Sequence, residues 1–140
     1  FLRHTHQFPD LKHMLVLERG LKAMLLRLPG RKFVFSNAPL SYSEAVLELA
    51  GIETCFDAVY SVERIRFQPK PAVGGFRYLL RSERLHAHRC IMVEDSLANL
   101  QTAKRLGMTT VWVSGSTRQP PWVDLRLVSV LDLPRHLQRL

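Results

Sequence analysis

Long apolar runs, cysteines and clustered charge are all scarce in this 140-residue chain. No apolar stretch approaches the roughly 20 residues that a helix needs to cross a bilayer, so a membrane partner is not expected. The opening Phe1-Leu2-Arg3-His4-Thr5-His6 has no apolar core behind its charge and does not read as a secretory signal. No initiator Met stands ahead of it, so the chain reads as a piece of something longer. Cys55 and Cys90 are the only cysteines and lack the spacing of a metal-ligand set. Two small buried thiols in a reducing, cytoplasmic setting are the expectation. Neither an internal repeat nor a low-complexity segment is present.

Acidic residues are also few. Twelve Asp+Glu stand against 20 Lys+Arg, a net charge of +8. Such a balance can mark a nucleic-acid binder. Here the basic residues are scattered from Arg3 to Arg139 and neither run together nor alternate with aromatics. Nucleic acid is therefore not expected as a partner. An anionic small substrate, or simple solubility, accounts for the charge.

What is present is a globular composition, 46% hydrophobic, in a length that suits one domain with a real core. Leu17, Leu21, Met24, Leu25 and Leu28 fall on one helical face within residues 11–28, with Gly20 as a possible break and Pro29-Gly30 as the stop. Residues 32–36 read as a short strand. Ser41 and Glu44 form a capping box for a helix carrying Tyr42, Ala45, Val46, Leu49 and Ala50 inward and closed by Gly51. Residues 56–61 read as a strand, 72–84 as a helix with Val73, Phe76, Leu79 and Leu80 inward, and 90–93 as a strand. Residues 96–106 read as a helix, 109–113 as a strand, 127–130 as a short last strand and 133–140 as a terminal helix. Strands alternating with helices predict an α/β fold, a Rossmann-like parallel sheet covered on both faces.

The most informative stretch is Ile91-Met92-Val93-Glu94-Asp95-Ser96. A short apolar strand ends in two carboxylates just before a helix. Ligands of open parallel sheets bind beyond the carboxyl ends of the strands. Two carboxylates there suit a hard cation such as Mg²⁺. A helix cap by Asp95 or Ser96, with Glu94 a bystander, accounts for the pattern equally well on its own. Ser36-Asn37 follows another strand, and Lys70 lies between Pro69 and Pro71 ahead of a helix. A hydroxyl with backbone N–H groups can hold a phosphate oxygen, and a fixed cation can neutralise phosphate charge. Taken singly, Ser36 is equally a turn residue and Lys70 a solvated loop charge. Their order along one sheet rim points to phosphoryl transfer.

At these residues the chain resembles the haloacid dehalogenase-like superfamily of phosphatases, from about Leu21 onward. Phe35-Ser36-Asn37, Lys70-Pro71 and Val93-Glu94-Asp95-Ser96 with Asn99 and Gly107-Met108 carry the resemblance. The run from Leu28 to Ala38 is similar to the pyrimidine 5′-nucleotidase branch. The resemblance implies that Ser36 and the Asn37 backbone bind the phosphoryl group and that Lys70 screens charge. It implies that Asp95 binds Mg²⁺, with Glu94 as second ligand or outer partner, and that Ser96 and Asn99 brace the loop. It also implies an aspartyl-phosphate intermediate and a small phosphorylated substrate, a nucleoside monophosphate in that branch.

The family's nucleophile belongs to an Asp-x-Asp motif ending its first strand, and no two aspartates here lie two apart. Asp10 follows Phe8-Pro9, not an apolar strand. The expectation is a core over residues 21–140 that lacks its first strand, preceded over 1–20 by the end of a helical cap. Such a core should have an unpaired gap between neighbouring strands, and this chain alone should release no phosphate. Sugar-phosphate or phosphoglycolate hydrolysis and phosphomutase chemistry remain open on the same fold, as does a non-catalytic phosphate- or partner-binding relative. His4 and His6 lack a third metal ligand nearby, His13, His86, His88 and His136 read as surface residues, and Trp112 and Trp122 read as packing.

Overall fold

The computed structural model describes residues 20–140. His4, His6, Asp10, His13 and Leu17, and all but the last residue of the expected cap remnant, lie outside them. Along the described chain run α1 (Leu21–Arg27), β1 (Phe33–Phe35), α2 (Leu40–Ala50), β2 (Ala58–Tyr60) and α3 (Val73–Ser82). They are followed by β3 (Ile91–Glu94), α4 (Leu97–Arg105), β4 (Thr109–Val113) and β5 (Leu125–Leu127). Short 3-10 segments lie at Glu53–Cys55, Ala87–Arg89 and Val130–Arg139.

Each strand is a short β-branched or aromatic run, and every pairing is parallel. β1 pairs β2 with Val34 opposite Val59, β3 pairs β4 with Val93 opposite Val111, and β4 pairs β5 with Val111 opposite Leu125. The ladders fall into two groups, β1-β2 and β3-β4-β5. They are nonetheless halves of one layer, because they share the same two cores. Val34, Val93, Val111 and Leu127 face a cluster with Leu21, Met24, Leu25 and Leu47. Phe35, Tyr60, Met92 and Trp112 face the other, with Phe76, Leu79, Leu100 and Ala103. Thus α1, α2 and the C-terminal 3-10 segment cover one side, and α3 and α4 the other. Burying both faces is what a parallel sheet requires.

Between β1 and β3 no strand lies among the described residues. A slot of about 430 Å³ runs there, walled by Phe33 and Phe35 of β1 and by Ile91, Met92 and Val93 of β3. Leu28, Leu133 and Leu137 close it from one core, and Phe76, Leu79 and Met108 from the other.

Several local expectations are corrected. Gly20 takes a positive φ of 95° and α1 begins after it, with Leu21, Met24, Leu25 and Leu28 buried as anticipated. No capping box forms at Ser41-Glu44. Instead α2 starts at Leu40, whose N–H donates to the Glu63 carboxylate 23 residues away, at 2.9 and 3.1 Å. A remote side chain supplies the cap that local spacing seemed to provide. The inward stripe of α2 is Ser43, Val46 and Leu47, while Leu49 is 52% exposed. This helix carries enough apolar residues for two overlapping stripes, and the packing uses the other one. Val73 sits in the first turn of α3 and is exposed; Gly75, Phe76 and Leu79 are buried.

The last strand is Leu125–Leu127, not 127–130, because Asp124 anchors its start. Thr110 donates its backbone N–H to Asp124 Oδ2 at 2.8 Å and its hydroxyl at 3.1 Å. The terminal helix is a 3-10 segment from Val130 with Pro134 inside it, which removes a helical donor. Cys55 and Cys90 are free but only half-buried, against the expectation of burial. Among the described residues, no helix is long and apolar enough to cross a membrane.

Candidate active site

The carboxyl ends of β1 and β3 face each other across the slot, and Lys70 joins them. Its side chain is 6% exposed, so it is not the solvated loop charge that its neighbours in sequence allow. Nζ donates to the Phe35 carbonyl at 2.8 Å and to Glu94 Oε2 at 3.0 Å. It also lies 4.9 Å from the centre of the Phe35 ring. An ammonium has three donors. Two have acceptors among the described residues, and the third is left for something else at this rim.

The backbone beneath Lys70 is held from two directions. The Asn37 side chain accepts from the Lys70 N–H at 2.8 Å and donates to the Lys70 carbonyl at 3.1 Å. It thus pairs with the Lys70 backbone on both sides, as a neighbouring strand would. From α4, the Thr102 hydroxyl donates to the Pro71 carbonyl at 2.6 Å. The Lys70–Pro71 bond is cis. Gly75 lets α3 approach this loop, since a Cβ there would meet the Gln68 carbonyl oxygen at 2.9 Å.

Glu94 ends β3 with its side chain 10% exposed. Burial, the largest single influence, pushes its carboxyl upward, but the Lys70 charge and the hydrogen bonds from Lys70 and Asn99 help to hold it below the ordinary carboxylate value. Oε1 accepts from the Asn99 amide at 3.1 Å and the Ser96 N–H at 3.4 Å. Ser96 in turn caps α4, its hydroxyl accepting from the Asn99 N–H at 3.4 Å. Both expected brace residues therefore meet Glu94. Asp95 stands exposed at the rim, and its carbonyl accepts from Trp112 Nε1 at 3.0 Å.

Ser36 continues the ladder, donating its N–H to the Tyr60 carbonyl at 2.9 Å. Its hydroxyl accepts from the Ala38 N–H at 3.0 Å and so shapes the turn, while the hydroxyl proton has no acceptor among the described residues. The structure thus gathers Ser36, Asn37, Lys70, Glu94, Asp95, Ser96 and Asn99 at one rim. Three parts were not anticipated: the Asn37 clasp, the Thr102 tether and the Trp112 anchor. Only Trp112 had a signal, since a buried indole N–H needs an acceptor.

Mg²⁺ takes oxygen ligands and keeps several waters, so one or two carboxylates suffice. Each Glu94 oxygen is already hydrogen-bonded, and the exposed Asp95 carboxylate beside it is an oxygen donor of the kind such an ion takes. Among the described residues, no group of three or more His, Cys, Asp or Glu is placed to hold a metal.

Residues 3–113 match the family model described as haloacid dehalogenase-like hydrolase, and the chain belongs to that family. Solved structures share the fold at low identity. One is an L-2-haloacid dehalogenase from Xanthobacter autotrophicus with chloropropionic acid covalently bound (20% identity, TM-score 0.72, covering 85% of this chain and 60% of that one). Another is a HAD phosphatase from Thermococcus onnurineus (23%, 0.66, 96% and 57%). A third is the putative HAD-hydrolase YfnB from Bacillus subtilis bound to magnesium (18%, 0.75, 87% and 56%). The chain therefore spans less than two thirds of the length of these relatives.

Proposed function

We propose that this haloacid dehalogenase-like hydrolase is the C-terminal portion of a Mg²⁺-dependent phosphomonoester hydrolase acting on pyrimidine nucleoside monophosphates. The observation that carries the reading is the Lys70 ammonium, buried between the Phe35 carbonyl and Glu94 with its third donor without an acceptor among the described residues. A buried cation whose position is fixed before reaction stabilises charge that develops on a transferring group.

In this reading a phosphoryl oxygen accepts the third Lys70 N–H and the Ser36 hydroxyl. The Asn37 clasp and the Thr102 tether fix where that ammonium sits. Glu94 pairs with the Lys70 ammonium and takes no part in bond making. Asp95 is the metal ligand, and the ion, when bound, supplies positive charge to the phosphate oxygens. The nucleophilic aspartate comes from a segment outside residues 20–140. The phosphatase and magnesium in the names of two structural relatives are in keeping with this choice.

The test is phosphate release from a panel of nucleoside and sugar monophosphates by a protein extended upstream through an Asp-x-Asp segment. Turnover that prefers pyrimidine nucleotides, is lost with chelator and is lost in Asp95→Asn is expected. Residues 1–140 alone should be inert. Chelator-insensitive turnover, or full activity in Asp95→Asn, would refute the metal assignment.

A further inference from the structure

The peptide group that joins Asp95 to Ser96 is gripped at both ends. Its carbonyl accepts from Trp112 Nε1 at 3.0 Å, and its N–H donates to Glu94 Oε1 at 3.4 Å. A peptide group turns as one plane, so these two bonds together set the ψ of Asp95. On its other side Asp95 follows Glu94, the last residue of β3, which stands in register with Trp112 of β4. After it comes Ser96, the cap of α4. Asp95 is thus the link between a strand that ends and a helix that begins, and these contacts decide where its Cα–Cβ bond points.

The group that holds the carbonyl is itself held. Trp112 is 8% exposed and belongs to the core cluster of Phe35, Met92, Leu100 and Val123. Met92 faces that core too, and Glu94, two residues further along β3, stands on the same side of the sheet. The indole therefore lies on the side from which α4 covers the sheet. An indole has one donor and no acceptor. Here that donor is spent on the backbone of the residue that presents the exposed carboxylate.

We propose that Trp112 is a positioning residue for the metal ligand, its indole N–H holding the Asp95 backbone so that the carboxylate meets Mg²⁺ at the rim. The proposal rests on the metal assignment in the hydrolase reading above, and adds to it a residue of another strand that touches neither ion nor substrate. Groups that orient a ligand from behind are typically worth tenfold to a hundredfold in metal affinity. The bond here runs to the ligand's backbone, so it acts on the aim of the carboxylate and leaves its charge alone. A ligand already aimed has less freedom to lose when the ion arrives.

The test uses the protein extended through its Asp-x-Asp segment, with the tryptophan ring nitrogens labelled for NMR and MgCl₂ alone as the probe. Trp122 is the internal control. It lies toward the amino end of β4, where its carbonyl accepts from the Thr110 hydroxyl at 3.4 Å. Trp122→Phe and Trp112→Phe assign the two indole signals. In the unaltered protein the Trp112 N–H signal should shift saturably with Mg²⁺ while the Trp122 signal stays still. Trp112→Phe keeps an aromatic ring in the core and removes the donor. It should raise the Mg²⁺ Kd, read by calorimetry, by about tenfold or more. Val123→Ala opens the same core without touching Asp95, and should lower Tm with the Kd unchanged.

An unchanged Kd in folded Trp112→Phe would overturn the proposal, as would a Kd raised equally in Val123→Ala. So would a Trp112 signal that stays still while Mg²⁺ binds, a result read without altering Trp112, since Trp122→Phe alone tells the two signals apart. None of these readouts needs turnover. Failure of the unaltered protein to bind Mg²⁺ would sink the metal assignment itself and the proposal with it.

Discussion

Two lysine–carboxylate pairs flank the β3–β4 half of the sheet, and they differ in what they leave undone. Lys104 meets Asp124 at 2.9 Å with the side chains 38% and 33% exposed. Asp124 also takes the Thr110 N–H and hydroxyl. Burial pushes its carboxyl up, but the Thr110 N–H and Lys104 together hold it below the usual value. Its acceptors are spent on joining β5 to β4, and Lys104 is half in water. Lys70 and Glu94 are nearly closed off from solvent, yet Lys70 keeps a donor with no acceptor among the described residues. The first pair is a structural fastening. The second is a fixed charge waiting for a partner, and that difference makes only the second a candidate for chemistry.

Breaking the buried pair should have the largest effect on stability. Lys70→Met leaves Glu94 buried and unpaired and should cost about 3–5 kcal/mol in denaturant unfolding. Its carboxyl should then titrate higher than in the unaltered chain, since the Lys70 charge no longer opposes burial. The double variant Lys70→Met/Glu94→Leu should recover most of the loss, because an apolar pair of similar volume avoids the buried charge. Equal destabilisation of the single and double variants would contradict this account.

Loosening the tether is next. Thr102→Val removes the donor to the Pro71 carbonyl and should cost about 1–2 kcal/mol, with kcat of the extended enzyme falling more than KM rises. A change confined to stability would make Thr102 a packing residue only. The exposed pair should matter least, Lys104→Met costing at most about 1 kcal/mol.

Acid sharpens the same contrast. Both carboxyls sit below their ordinary values when folded, so each contributes stability above its unfolded value, about 4.3 for Glu and 3.9 for Asp. That contribution is lost as pH falls through the lowered folded value. Unfolding free energy should therefore drop below about pH 4. Glu94→Gln should flatten the drop more than Asp124→Asn does. The reverse order would place the stronger coupling at Asp124.

Much of this was legible in the chain because it depends on local pattern. An apolar strand ending in Glu94-Asp95 identifies a sheet rim, and alternating elements identify a parallel sheet. The rest was illegible because it depends on partners far away in sequence. Nothing in Gln68-Pro69-Lys70-Pro71 reveals that Asn37 grips its backbone or that Glu94 buries its charge. Likewise Ser41-Glu44 has the spacing of a cap, but Glu63 reaches Leu40 first. Periodicity misplaced the inward face of α2 for a related reason. Where apolar residues outnumber one stripe, the opposing surface decides which are buried.

The most direct measurement compares the two lysines in one assay, phosphate release by the protein extended through its nucleophile segment. The account predicts that Lys70→Met lowers kcat by roughly a hundredfold or more, as loss of a fixed charge in a closed site does. Lys104→Met should stay within about twofold, in keeping with the small worth of an exposed pair. Equal losses in both variants would contradict it, and Lys70 would then be a fastening like its neighbour.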